Sequence, residues 1–179
     1  MSEEEIPILS EKYLSDISSL VMSDLRNKRV ACQELETELS YIRRLLQGRI
    51  DILQDELKRR GEGNVSTATE IIGRLPAILA DHPGGVQRRS RRVLRMLAQE
   101  QVVRVEREVD GIVEIPLGDI ASATVPELET ALRRLVEGEA EVSERRSALH
   151  RHLDTIHAEM ARRYRDGEAD VDTLLASES

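Results

Sequence analysis

The sequence predicts an all-α chain: two long helices that form an intramolecular antiparallel coiled coil, with a short N-terminal helix and a mostly irregular connector. Three observations lead there. The chain is 34 % charged and 40 % hydrophobic, with no Trp or Phe and three Tyr, so it lacks the aromatic bulk that fills a globular core. Abundant Ala, Leu, Glu and Arg suit rods that bury one narrow stripe against each other. Apolar residues then recur every seven positions in two separate stretches, Leu25, Cys32, Leu39, Leu46 and Leu53, and Leu128, Leu135, Val142, Leu149 and Ile156.

Residues 1–22 read as an acidic leader containing Pro7, followed from Ser10 by a short amphipathic helix with Tyr13, Leu14, Ile17 and Leu20 on one face. Ser23 with Asp24 then reads as a helix cap, and the first rod spans 23–61, stopped by Gly61 and Gly63. Its second seam position holds Arg29, Glu36, Arg43, Ile50 and Leu57, so charge intrudes where a dry coil would place Leu or Ile. Residues 62–123 hold six of the ten glycines with Pro76, Pro83 and Pro116, and read as a connector. Within it, 68–72 and 77–80 are expected as short helical turns, and 82–85 as a break. Residues 87–95 carry five Arg, which read as a solvated face or a contact for an acidic partner. The stretch 102–109 fits strand and helix equally.

Thr124 followed by Pro126 and Glu127 predicts a capped helix start, and the second rod spans 124–166, ended by Gly167. Leu132, Glu139, Arg146, Leu153 and Met160 fill its second seam position, with Glu139 and Arg146 in the same phase as Glu36 and Arg43. Residues 167–179 read as an acidic tail expected to fray.

On the first rod Glu36, Ser40, Arg43, Gln47 and Asp51 are spaced by four, three, four and four residues, a polar stripe within an arc of roughly 80°. The stripe recurs 103 positions later as Glu139, Ser143, Arg146, His150 and Asp154, with His150 in place of Gln47. An Arg fork fits the O6/N7 edge of guanine or a phosphate, Asp accepts from guanine's ring N–H and amino group, and Glu can hold the Arg in place. A doubly anionic, two-fold symmetric guanine nucleotide suits this composition.

The pattern Glu-x3-Ser-x2-Arg-x3-Gln-x3-Asp, complete at residues 36–51, resembles the cyclic di-GMP signature of the RsiG family of actinobacterial anti-sigma factors. Two copies in one chain resemble its Streptomyces type. The resemblance implies that the coil binds cyclic di-GMP, two molecules per chain. It also implies that the loaded form sequesters the sporulation sigma factor WhiG from RNA polymerase as a 1:1 complex. Carried over residue by residue, the ligand set is Glu36, Ser40, Arg43, Gln47, Asp51, Glu139, Ser143, Arg146, His150 and Asp154, with the substitution at His150 leaving that contact open.

Composition excludes several other classes. A net charge of −8 opposes direct DNA binding. No apolar run is long enough to span a bilayer, and the lone Cys32 forms no internal disulfide, so a cytoplasmic monomer is expected. No nucleophile triad, phosphate-cradling loop or zinc spacing is present, and no catalysis is expected. Two alternatives stand beside this reading: a coiled-coil scaffold whose buried polar residues only set register, and a helical metal enzyme, suggested by His150, Asp154 and His157 on one face with carboxylates opposite but lacking the paired Glu-x-x-His motifs of a diiron site.

Overall fold

The computed structural model describes residues 7–79, 109, 111 and 115–167. These residues are helical, in turns and bends or in short irregular segments, with no strand among them. Helix α1 spans Met22–Gly61, α2 spans Ala68–Ile78 and α3 spans Val125–Arg165. The chain divides into two compact units, Met1–Glu36 with Arg145–Ser179, and Thr37–Glu144. In each, part of α1 packs against part of α3.

In the first unit the core holds Leu14, Leu25 and Cys32 from the N-terminal side and Leu149, Leu153, Ile156 and Met160 from α3. Arg26 Nη2 donates to Tyr164 Oη at 3.1 Å, while Glu36 meets Arg146. Contacts that ascend along α1 therefore descend along α3. The lead-in differs from the amphipathic helix expected from Ser10. It forms three short 3₁₀ turns, Pro7–Leu9, Glu11–Leu14 and Ile17–Ser19. Serine side chains compete for its backbone: Ser10 Oγ accepts from Lys12 N at 3.3 Å, and Ser19 Oγ donates to Asp16 O at 2.8 Å. Helix α1 begins at Met22, so Ser23 lies inside it rather than capping it.

In the second unit the core joins Leu39, Tyr41, Ile42, Leu46, Ile52 and Leu53 of α1 with Ile71, Ile120, Leu128, Ala131, Leu135 and Val142. Here Arg43 meets Glu139 and Arg60 reaches Ala123, the same descending order. Gly61 is the last residue of α1, and Gly63, at φ +82°, does the stopping. Gly63 N donates to Arg60 O at 3.0 Å and Asn64 N to Arg59 O at 2.9 Å, the paired bonds of a Schellman end. Where two short turns were expected at 68–72 and 77–80, one helix, Ala68–Ile78, covers the first and enters the second, capped by a reciprocal Thr67–Glu70 box and tolerating Pro76 two residues before its end; residue 80 lies outside the described residues. Helix α3 starts as predicted at Thr124. Its N–H and Oγ1 both donate to Glu127 Oε2 at 2.7 Å, which holds the Glu127 carboxyl below the usual range.

The first seam position is buried at all ten predicted residues. The second is mixed: Leu153 and Met160 are buried, whereas Arg29, Glu36, Arg43, Ile50, Leu57, Leu132, Glu139 and Arg146 are half-buried. The expectations for 82–85, 87–95, 102–108 and the tail beyond Gly167 lie outside the described residues.

Helix α2 closes on α1 at Gly48, where a β-carbon would lie 3.4 Å from Leu79 Cδ2. Ala fits there and gains about 1 kcal/mol of helix propensity over Gly. Leu must displace Leu79, at about 1–3 kcal/mol for overpacking. Melting temperatures of Gly48→Ala above wild type and of Gly48→Leu below it are the expected pair of results.

Candidate functional site

Seven of the predicted polar residues meet in two related clusters, one in each unit. In the second unit Glu139 Oε1 accepts from Arg43 Nε at 2.8 Å, from Gln47 Nε2 at 3.2 Å and from Ser143 Oγ at 3.0 Å. Arg43 Nε also approaches Ser143 Oγ at 2.9 Å. In the first unit Glu36 Oε1 accepts from Arg146 Nη2 at 2.9 Å and Nε at 3.3 Å, with His150 Nε2 at 3.6 Å. The glutamate of each motif copy thus holds the arginine of the other copy. His150 takes the place of Gln47 beside the same carboxylate atom, which is where the 103-residue shift puts it.

Helical spacing explains the clustering. Residues i, i+4 and i+7 share a face, so Glu139 and Ser143 turn toward the same side of α3, as Arg43 and Gln47 do on α1. Both pairs stay reachable from solvent. The Arg43 and Glu139 side chains are 36 % and 21 % exposed, those of Arg146 and Glu36 both 23 %. A guanidinium held by a carboxylate on one side while partly open on the other is oriented in advance for an acceptor edge or a phosphate. Of the remaining predicted residues, Ser40 and Asp51 are half-buried and Asp154 is exposed.

Sequence reading missed two further charged clusters at the ends of the long helices. Glu56 is fully buried and receives Arg60 Nε at 2.7 Å, Ser66 N at 3.4 Å and Arg74 Nη2 at 3.5 Å. Burial pushes its carboxyl up, but the hydrogen bonds from Arg60 and Ser66, with the Arg60 charge, outweigh burial and hold it below the usual range. Its counterpart Glu159 receives Arg163 Nε at 2.7 Å and Arg162 Nη2 at 3.0 Å. Extending the 103-residue comparison past the stripe would have found both, since Glu-x3-Arg recurs at that offset.

Hydrogen bonds from Arg162 and Arg163 lower the Glu159 carboxyl from 4.5 to about 2. A carboxyl depressed in the fold adds stability above its unfolded pKa, and that contribution is lost as pH falls through the folded one. The melting temperature should therefore drop between pH 4.5 and about 2, and Glu159→Gln should flatten this part of the profile. An unchanged slope in that variant would remove Glu159 as a source of acid sensitivity.

Among the described residues no group of three or more His, Cys, Asp or Glu is placed to hold a metal ion, so His150, Asp154 and His157 form no such group. No helix among them is long and apolar enough to cross a membrane. The fold and its clusters define a class: a helical protein that repeats one carboxylate–guanidinium pairing on two long helices. The chain belongs to the RsiG-like family, whose model matches residues 11–79 and 114–178. That is a regulatory family rather than an enzyme family, and membership implies an anti-sigma-factor role with a sigma factor as partner. A search of curated proteins returns no match.

Proposed function

We propose that the chain is a cytoplasmic anti-sigma factor that binds cyclic di-GMP, two molecules per chain, through the stripes of an antiparallel coiled coil. Loaded, it sequesters the sporulation sigma factor WhiG one-to-one from RNA polymerase, and a fall in nucleotide releases the sigma factor. The observation that carries this reading is the reciprocal hold of Arg43 by Glu139 and of Arg146 by Glu36, each partly open. Two oriented forks of this kind match the acceptor edge of guanine and the phosphates, and Asp51 and Asp154 supply acceptors for guanine's N–H groups. Family membership supports the sigma-factor half of the reading.

The physical switch is linkage. A ligand that binds only the partner-competent form stabilises that form by RT ln(1 + [L]/Kd), about 2.7 kcal/mol at a hundredfold excess over Kd. Calorimetric titration of cyclic di-GMP into the purified chain, alone and with WhiG, tests it. About two nucleotides bound per chain and a complex that forms only in their presence are expected. A complex formed equally well without nucleotide would sink the switch.

One observation favours a second reading, a scaffold whose polar residues set register. Each Glu–Arg pair is already satisfied between helices with no ligand. That reading expects no heat and no change in melting temperature with any nucleotide.

A further inference from the structure

Both long helices end on the same arginine device. Arg163, 7 % exposed near the end of α3, donates to the carbonyls of Ile17 and Ser18 at 3.1 Å and to that of Leu20, while Glu159 holds its Nε. Arg60, near the end of α1, donates to the carbonyls of Ile120 at 2.8 Å, Ala121 at 3.2 Å and Ala123, while Glu56 holds its Nε. Every participant in one clamp lies 103 positions from its counterpart in the other. The turns they grip repeat too: Ser19 N and Oγ both bond Asp16 O, as Ser122 N and Oγ bond Asp119 O. The internal repeat therefore covers 16–60 and 119–163, far beyond the polar stripe.

Each clamp ties the end of one long helix to the turn that leads into the other, and a polar pair joins the same two helices further along. In the second unit 17 residues separate Arg43 from Arg60 on α1, and 16 separate Ala123 from Glu139, each about 25 Å at ~1.5 Å per residue. The first unit repeats this with Leu20 to Glu36 and Arg146 to Arg163. A guanidinium is a rigid planar fork, so satisfying three carbonyls at once fixes the axial offset of one helix against the other.

We propose that Arg60 and Arg163 are positioning residues for the polar pairs: Arg60 sets the offset at which Glu139 meets Arg43, and Arg163 the offset at which Glu36 meets Arg146. They thereby set the geometry in which those guanidiniums are offered to ligand. The ligand clause rests on the cyclic di-GMP reading; the offset clause does not.

A double-mutant cycle on the full chain separates the two. Independent residues this far apart contribute additively. If Arg163 sets the offset, Arg163→Ala already misaligns the Glu36–Arg146 pair, and Arg146→Ala in that background should lower the melting temperature by less than half of its effect in wild type. Arg163→Lys keeps a charge beside Glu159 without the fork, and should give the same non-additivity; it serves the cycle if the alanine variant does not fold. Additive effects in the cycle overturn the proposal. In parallel, cyclic di-GMP is titrated into wild type and the folded Arg163 variant, matched for helical content by circular dichroism. About tenfold weaker binding is expected, equivalent to about 1.4 kcal/mol. Equal affinity overturns the proposal, because a clamp that only closed a helix end would lower the melting temperature and leave affinity alone. If wild type binds no cyclic di-GMP, the functional reading fails and the cycle alone decides positioning.

Discussion

Replacing Glu56 by Ala should cost about 3–5 kcal/mol, the scale for removing one partner of a buried ion pair. Glu56 is fully buried, and the Arg60 side chain beside it is 8 % exposed. Truncation leaves the Arg60 guanidinium short of its counter-charge, with Ser66 N and Arg74 losing the same acceptor. Glu56→Gln keeps an acceptor in place and should lose less. Denaturant unfolding followed by circular dichroism measures both, and a loss below about 1 kcal/mol for the alanine variant would be the value of an exposed pair and would contradict the burial.

Exchanging partners at Glu36 and Arg146, as Glu36→Arg with Arg146→Glu, should separate pairing from ligand binding. The double variant keeps an ion pair between the same two backbone positions, so its melting temperature should stay near that of wild type. Either single exchange sets like charges opposite each other and should fall below it. The two functional readings diverge on nucleotide. For a register device the exchange changes nothing that matters. For the proposed cyclic di-GMP site the fork now projects from the wrong helix, and affinity should drop about 100-fold, near 2.7 kcal/mol. Retained affinity in the exchanged chain would remove Arg146 from the ligand set.

The heptad made one line of the core legible because Leu, Ile, Val and Cys at that position face the partner helix and nothing else competes for it. The second line was harder to read. Tyr41, Ile42 and Ile52 are buried on α1 although they lie off the predicted seam, in the unit that also contains α2, where a β-carbon on Gly48 would lie 3.4 Å from Leu79 Cδ2. A two-helix period carries no signal for such a third element. The lead-in misled for another reason. The carbonyls of Ile17, Ser18 and Leu20 accept from Arg163, a residue more than 140 positions away, and no local propensity encodes that bond. The stripe was legible because charges on a seam break a strong pattern, and the structure brings Glu36 to Arg146 and His150, and Glu139 to Arg43, Gln47 and Ser143. The clamps lay in the same 103-residue shift, but Glu-x3-Arg at a helix end looks like ordinary surface charge until the carbonyls opposite are known.

The reciprocal clamps also govern how such a chain can change length over evolutionary time. An inserted turn in α1 between Arg43 and Arg60 would carry the clamp about 5 Å past Ala123 unless α3 gained a turn between Ala123 and Glu139. The same holds for Leu20 to Glu36 against Arg146 to Arg163. Helix lengths are locked in pairs, so insertions and deletions there survive only when matched. The linker between α2 and the turn at Leu117–Asp119 lies outside either paired span. A change of length there alters the residue count of neither paired span.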